Sequence, residues 1–364
     1  MPLYATCWEQ GGFALGRGEF GAVLSVTIDD VALAAGVSIR TVSRVLNESP
    51  HVGAETRKTV LETIERLGYS PSTRARALAS GRSFLIAMVQ DDPNAHVIGA
   101  LQRGIVEACS SHGYELVVRP VHFANPDIAS DIENFVRRSR VDGLIVLPPT
   151  SEIAAIPERL TRLGVPSVGI ASVSLPEYPC MLVSNERGAT RALGQHLLEL
   201  GHRRIAMIEG PAHFRSAQER KAGFLEGIGG SMPEAYRREG DYGFDSGAAA
   251  AEALLSLAQP PTAIFAANDI MAAAVAKIAR ERGVSVPGQL SLAGFDGSDI
   301  ASMITPALTT IRRPLVDMAQ AVTERLLDMI SGARASWPHE RIDLTLVHGK
   351  SVGPAMDDPR KNGR

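Results

Sequence analysis

Arg40 and Arg44 stand one helical turn apart in the stretch Ser38-Ile39-Arg40-Thr41-Val42-Ser43-Arg44-Val45-Leu46-Asn47. That spacing gathers Ile39, Arg40, Ser43 and Arg44 mostly on one face and Val42, Val45 and Leu46 on another. A guanidinium on a short exposed helix can fork onto a guanine edge in a major groove or clamp a phosphate. The competing reading is a solvated amphipathic helix pair. Catalytic chemistry has no comparable signal. His202 and Asp296 have no evident nucleophile partner, no Gly-rich phosphate loop precedes a helix, and no His, Cys and Asp cluster has metal-ligand spacing. An enzyme, a cofactor or a bound metal is therefore not expected.

The elements that must hold these arginines are equally local. Thr27 can cap a first helix, with Asp29 and Asp30 where the helix dipole is positive and Val31, Ala32 and Ala35 at helical spacing. Gly36 tolerates the left-handed conformation that ends such a helix, and Ser38 can cap the next. Val60, Ile64 and Leu67 then mark a third helix over residues 54 to 67, with Gly53 a weaker cap than Ser or Thr by a few tenths of a kcal/mol. Pro71 interrupts the chain before a short alanine-rich segment, Ser72 to Ser80.

Charge is unevenly distributed. Residues 36 to 82 carry eight basic and four acidic side chains, a surplus of four positive charges, whereas the 364-residue chain carries −3 and the remainder therefore −7. Only the smaller region can attract phosphate. Cys7, Cys109 and Cys180 are too few and too scattered for a disulfide framework, and the longest apolar runs, such as Leu144 to Pro149, cannot span a bilayer. A cytoplasmic protein without a membrane partner is expected. Residues 1–25 hold five glycines and no sustained periodicity, and are expected to be a disordered extension or to follow a misplaced start.

Asp30-Val31-Ala32, Ala35-Gly36-Val37-Ser38, Thr41-Val42-Ser43-Arg44-Val45-Leu46-Asn47 and Leu67-Gly68-Tyr69-Ser70-Pro71 together resemble the headpiece of the lactose repressor family, nearly continuously over about fifty residues. The resemblance implies a helix-turn-helix domain over 26–71 and a hinge helix or linker over 72–82. Arg40, Arg44 and Ile39 would face bases, Thr27, Ser38, Thr41, Ser43 and Asn47 would place the backbone, and Leu78, beside Ala75 and accompanied by Arg74 and Arg76, would wedge into the minor groove.

From Ser83 onward short apolar runs such as Phe84–Val89, Gly143–Leu147 and Ala263–Ala266 alternate with helical patterns, including one over Gly99 to His112. That alternation predicts parallel sheets with helices on both faces, and two such units would make an α/β clamshell. The family resemblance extends here, through Leu200-Gly201-His202-Arg203-Arg204, Arg220-Lys221-Ala222-Gly223-Phe224, Ala267-Asn268-Asp269 and Gly294-Phe295-Asp296. It implies two doubly wound subdomains like those of type I periplasmic sugar-binding proteins. One would span about 83–184 and 313–340, the other about 185–312 and 341–354, followed by a tail over 355–364. The chain would cross between them near Ser184, Arg312 and Glu340.

By the same resemblance Arg220 would clamp the effector and Asp296 accept from its hydroxyls, with Asn268 as a further candidate. Two departures stand out. Asp91-Asp92-Pro93-Asn94-Ala95-His96-Val97-Ile98 replaces an aromatic platform, making Asp92 and His96 candidate contacts, and Ser184-Asn185 replaces Asp-Asn. The implied function is a homodimeric repressor of operator DNA, switched by a small metabolite such as a sugar or sugar derivative. The alternative is a transport-system sugar-binding protein without DNA function, which would not carry residues 27–82. Leu78→Ala is expected to weaken operator binding far more than binding to random DNA. Equal losses in a filter-binding titration would remove the wedge.

Overall fold

The computed structural model describes residues 26–46, 49–69, 81–92 and 94–356. They form two compact units, divided after Arg82. Asn47, Arg74, Ala75 and Leu78, the extension over 1–25 and most of the expected hinge lie outside the described residues.

In the smaller unit α1 (Ile28–Ala35) starts at a reciprocal cap. The Thr27 hydroxyl accepts from the Asp30 amide, and the Asp30 carboxylate accepts from the Thr27 amide at 2.8 Å. Gly36 ends it at φ +67°, the left-handed conformation glycine adopts without cost. Ser38 Oγ accepts from the Thr41 amide at 3.2 Å, so α2 (Ile39–Leu46) starts at the next residue. The third helix, α3 (Ala54–Leu67), has no side-chain cap at Gly53. Val31, Ala32, Val42, Val45, Val60 and Tyr69 form the core, with Ile64 and Leu67 packed against it. Thr63 is also buried, its hydroxyl donating back to the Thr59 carbonyl at 2.8 Å.

The larger unit has two lobes, each around a six-stranded sheet. The first sheet is built from β1 (Leu85–Gln90), β2 (Glu115–Pro120), β3 (Gly143–Val146), β4 (Ser167–Ala171), β5 (Met181–Ser184) and, far along the chain, Glu340–Ile342. All its pairings are parallel. The second contains β6 (Ile205–Glu209), β7 (Arg237–Glu239), β8 (Ala263–Ala266), β9 (Ser291–Asp296), β10 (Thr309–Arg312) and Thr345–Val347, the last antiparallel to its neighbour. The inner strands β3, β4 and β8 are buried along their whole length, which is why β3 and β8 appear as unbroken apolar runs.

The chain passes between lobes at 184–186, 312–315 and 342–345. The third passage corrects the expectation near Glu340. Glu340–Ile342 pair in register with Leu182–Ser184, so they belong to the first sheet and the crossing falls at Asp343 and Leu344. A second correction concerns the helix expected from Gly99. The helix α4 (Ala95–Ser111) begins four residues earlier, because Asn94 accepts from the amides of His96 and Val97 and caps it.

This helix lies against Leu315–Ser331, contributed after the second crossing, at a point of close approach. A Cβ built on Gly104 would stand 2.3 Å from the Val316 carbonyl oxygen and 2.8 Å from Ala319 Cβ. Gly104→Ala is therefore expected to force the helices apart. A loss of about 1–3 kcal/mol follows from overpacking, read as a lower midpoint in chemical denaturation, despite the better helix propensity of alanine.

Candidate functional site

On the smaller unit, α2 presents Ile39, Arg40 and Arg44 to solvent on the side away from Val42 and Val45. Thr27, Ser38 and Thr41 take part in the capping bonds described above, Ser38 and Thr41 joined hydroxyl to hydroxyl at 2.9 Å. Ser43 is half-buried. The arginines are thus held on a helix whose position is set by two short caps and a valine core. This is the arrangement that a base-reading helix requires.

Within the larger unit, the carboxyl ends of the strands of both sheets converge on a cleft between the lobes. Asp92, Asn94 and Val97 line it from the first lobe, and Arg220, Tyr242, Asn268 and Asp296 from the second. Ligands of open α/β sheets bind at such strand ends. The helix α8 below carries Arg220; in chain order α5 is Ile128–Ser139, α6 Ala155–Arg162, α7 Glu186–Glu199 and α8 Arg215–Gly227.

Arg220 is almost wholly buried and nearly saturated. Its Nε donates to Glu186 Oε2 at 2.7 Å, one terminal nitrogen to the Ala267 carbonyl at 2.6 Å and the other to Glu186 Oε1 at 3.5 Å. The guanidinium lies 3.7 Å from the centre of the Phe295 ring, with the Tyr242 ring at 5.5 Å. Burial opposes its charge, but Glu186, Tyr242 and Asp296 outweigh that and hold it protonated. Glu186, at the first position of α7, is itself oriented by the Ser184 hydroxyl at 3.0 Å.

Asp296 ends β9 in an unusual backbone conformation, φ +112°. Its carboxylate accepts from Asn94 Nδ2 at 3.1 Å, a direct bond between the lobes, and from an Arg313 nitrogen at 3.5 Å. Asp92 Oδ1 accepts from the Asn94 amide at 2.7 Å. Burial raises the Asp92 carboxyl to about 6 against that bond, with Asp296 adding to the rise. Burial likewise raises Asp296. Asp269, behind it, is pushed up to about 7 by burial and by Asp296, although it accepts from Ser298 and Thr310. The rim also joins the lobes: Phe123 stacks on His213 at 5.9 Å and meets Phe214 edge-on at 6.2 Å.

Arg220, Asp296, Asn268 and Asp92 therefore line one cavity. Asn268 uses its amide internally, capping the helix Asp269–Glu281 through the Met271 amide and donating to the Tyr242 carbonyl at 2.8 Å. His96 does not belong with them. It lies exposed in the first turn of α4 and faces a separate groove shared with Arg103 and Arg312, because the helix starts earlier than its apolar pattern implies.

Sequence reasoning missed Asn94, Glu186, Arg313 and Tyr242. Asn94 carried a usable signal, an Asn immediately before a helix. Glu186 follows the Ser184-Asn185 pair that replaces Asp-Asn, and supplies a carboxylate two residues after the serine. Tyr242 sits in a loop whose sequence points nowhere in particular. Its ring fits because Gly210 has no side chain: a Cβ there would lie 2.4 Å from the ring.

Comparison with known proteins agrees with both units. Residues 27–72 match the model for bacterial regulatory proteins of the lacI family, and residues 195–352 that for a periplasmic binding protein-like domain. Catabolite control protein A of Priestia megaterium is 37% identical over 314 residues, 84% of this chain and 92% of that protein. The transcriptional repressor PurR of Klebsiella pneumoniae strain 342 is 32% identical over 340 residues, 91% and 98% respectively. Among solved structures, the Lac repressor dimer bound to operator and the anti-inducer ONPF superposes with a TM-score of 0.78 at 30% identity, covering 90% of this chain and 99% of that one. A transcriptional regulator CelR–cellobiose complex does so at 0.65 and 29%, with coverage of 90% and 99%. With a headpiece that can read a major groove, a two-lobed unit following it in the chain and relatives of this extent, the chain belongs to the lacI family of bacterial regulatory proteins and is a DNA-binding transcriptional regulator.

Proposed function

We propose that the protein is a homodimeric repressor that grips a near-palindromic operator and changes its grip when a small sugar-like metabolite enters the cleft between the lobes. The observation that carries this reading is the cavity itself: Arg220 and Asp296 converge with Asp92 and Asn94 where both sheets end, across the lobe-to-lobe bond from Asn94 to Asp296. The relative solved with cellobiose supports a carbohydrate as the ligand class.

Two copies of α2 related by a twofold axis would place Ile39, Arg40 and Arg44 against bases, with Thr27, Ser38, Thr41, Ser43 and Asn47 fixing the backbone. Arg74, Ala75 and Leu78 would add the minor-groove wedge between headpiece and lobes. Effector and DNA then compete for or cooperate in one arrangement of the lobes, a coupling of about 1–3 kcal/mol in such systems. The protein works without catalysis, and in the cytoplasm, where its DNA lies. No helix among the described residues is long and apolar enough to cross a membrane.

One pair of variants separates reader from sensor. Arg44→Ala is expected to lose about 1–3 kcal/mol of discrimination between operator and random DNA while the melting temperature still rises with the effector. Arg220→Ala, at a temperature where circular dichroism shows it folded despite the charge left on Glu186, is expected to keep operator affinity and lose the effector response. Fluorescence anisotropy on operator fragments reads both, and release of DNA by the Arg220 variant at the wild-type effector concentration would displace the site.

A further inference from the structure

The cleft holds three carboxylates, Asp92, Glu186 and Asp296, against two guanidiniums, Arg220 and Arg313. Both cations are already engaged. Glu186 holds Arg220 with two contacts, the side chains 1% and 5% exposed, and Asp296 holds Arg313 at 3.5 Å. What remains is a different kind of capacity. Tyr242 Oη and Arg313 Nε are buried without a well-formed hydrogen bond, two donors on residues that line the same cleft as Asp92 and Asp296. A hydroxyl can accept from the former and donate to the latter. An ionised carboxylate or a phosphate-ester dianion can only accept, and would meet three carboxylates against two guanidiniums that are already paired.

We infer that Glu186 is a specificity-determining residue: by neutralising Arg220 within the protein it restricts the cleft to uncharged, polyhydroxylated rings and turns away sugar acids and sugar phosphates. This rests on the effector-cavity reading above. Three features make the pair a fixed part of the wall. Glu186 opens helix α7, the Ser184 hydroxyl donates to it, and Arg220 is clamped further by the Ala267 carbonyl and the Phe295 ring. An ion pair buried this deeply costs much to break by removing one partner, because the other is left as an uncompensated charge. Without Glu186, Arg220 would therefore recruit an anion from solution, and the same side chain would become an anion clamp.

The test uses the full-length protein and isothermal titration with inorganic phosphate and a matched set: glucose, galactose and cellobiose against glucuronate, galacturonate and glucose 6-phosphate. The wild type is expected to ignore phosphate and to bind no acidic member as tightly as its uncharged parent. Glu186→Gln, or Glu186→Ala where circular dichroism shows the amide variant unfolded, is expected to gain phosphate binding and to favour acidic over uncharged rings at least tenfold more than the wild type does. Phosphate binding that is equal in wild type and folded variant overturns the role of Glu186. So does a uronate or sugar phosphate that the wild type binds as well as the neutral sugar. If no sugar binds the wild type while the variant gains phosphate, the carbohydrate reading fails and the gate stands.

Discussion

Asp296 is a carboxylate buried where two lobes and a crossover meet, and most of the larger unit is arranged to tolerate it. Asn94 donates to it from the first lobe, Arg313 from the connection, and Arg220 contributes charge from the second. In a medium that solvates ions poorly, such a group is acceptable only while those partners stay in place. The geometry of the cleft is therefore linked to the separation of the lobes. Drawing them apart removes the Asn94 bond and the aromatic contact of Phe123 with His213 and Phe214, and opens the carboxylate to water. A ligand that supplies equivalent donors changes the balance between the two arrangements, which is the physical requirement for a metabolite to be felt elsewhere in the molecule.

The headpiece solves a smaller problem by other means. Two eight-residue helices are too short to persist alone. They are held by the Thr27–Asp30 reciprocal cap, by Ser38, by the left-handed turn at Gly36 and by a valine core closed by Val60 and Tyr69. Polar groups that look like candidate DNA contacts are thus also the groups that fix the helix ends. Position and recognition share the same side chains.

How far the sequence reveals this depends on whether a feature is local. Thr27, Gly36 and Ser38 act on residues within four positions of themselves, so their roles can be recognised from the order of residues alone. The buried strands are equally visible, since parallel strands covered on both faces are apolar throughout. The cleft depends on residues that meet only after folding. Glu186 and Arg220 are thirty-four positions apart and Asn94 and Asp296 two hundred and two, and no periodicity announces either pair. His96 falls outside the cleft for a local reason: the Asn94 cap starts the helix at Ala95, four residues before the start that the helical pattern from Gly99 implies.

The first lobe is not a continuous piece of chain. Its sheet is completed by Glu340–Ile342, and the helix Leu315–Ser331 that covers it at Gly104 is made only after the second lobe has been traversed. On the ribosome, residues 85–184 emerge well before the segments that close their core, and apolar strand faces must wait for more than a hundred residues of synthesis. Long-range closure of this kind is slow and leaves unpaired strand edges exposed to neighbours. The sensor is thus tied to the integrity of its last seventeen described residues: a chain stopped before Glu340 would lack an edge strand in both sheets.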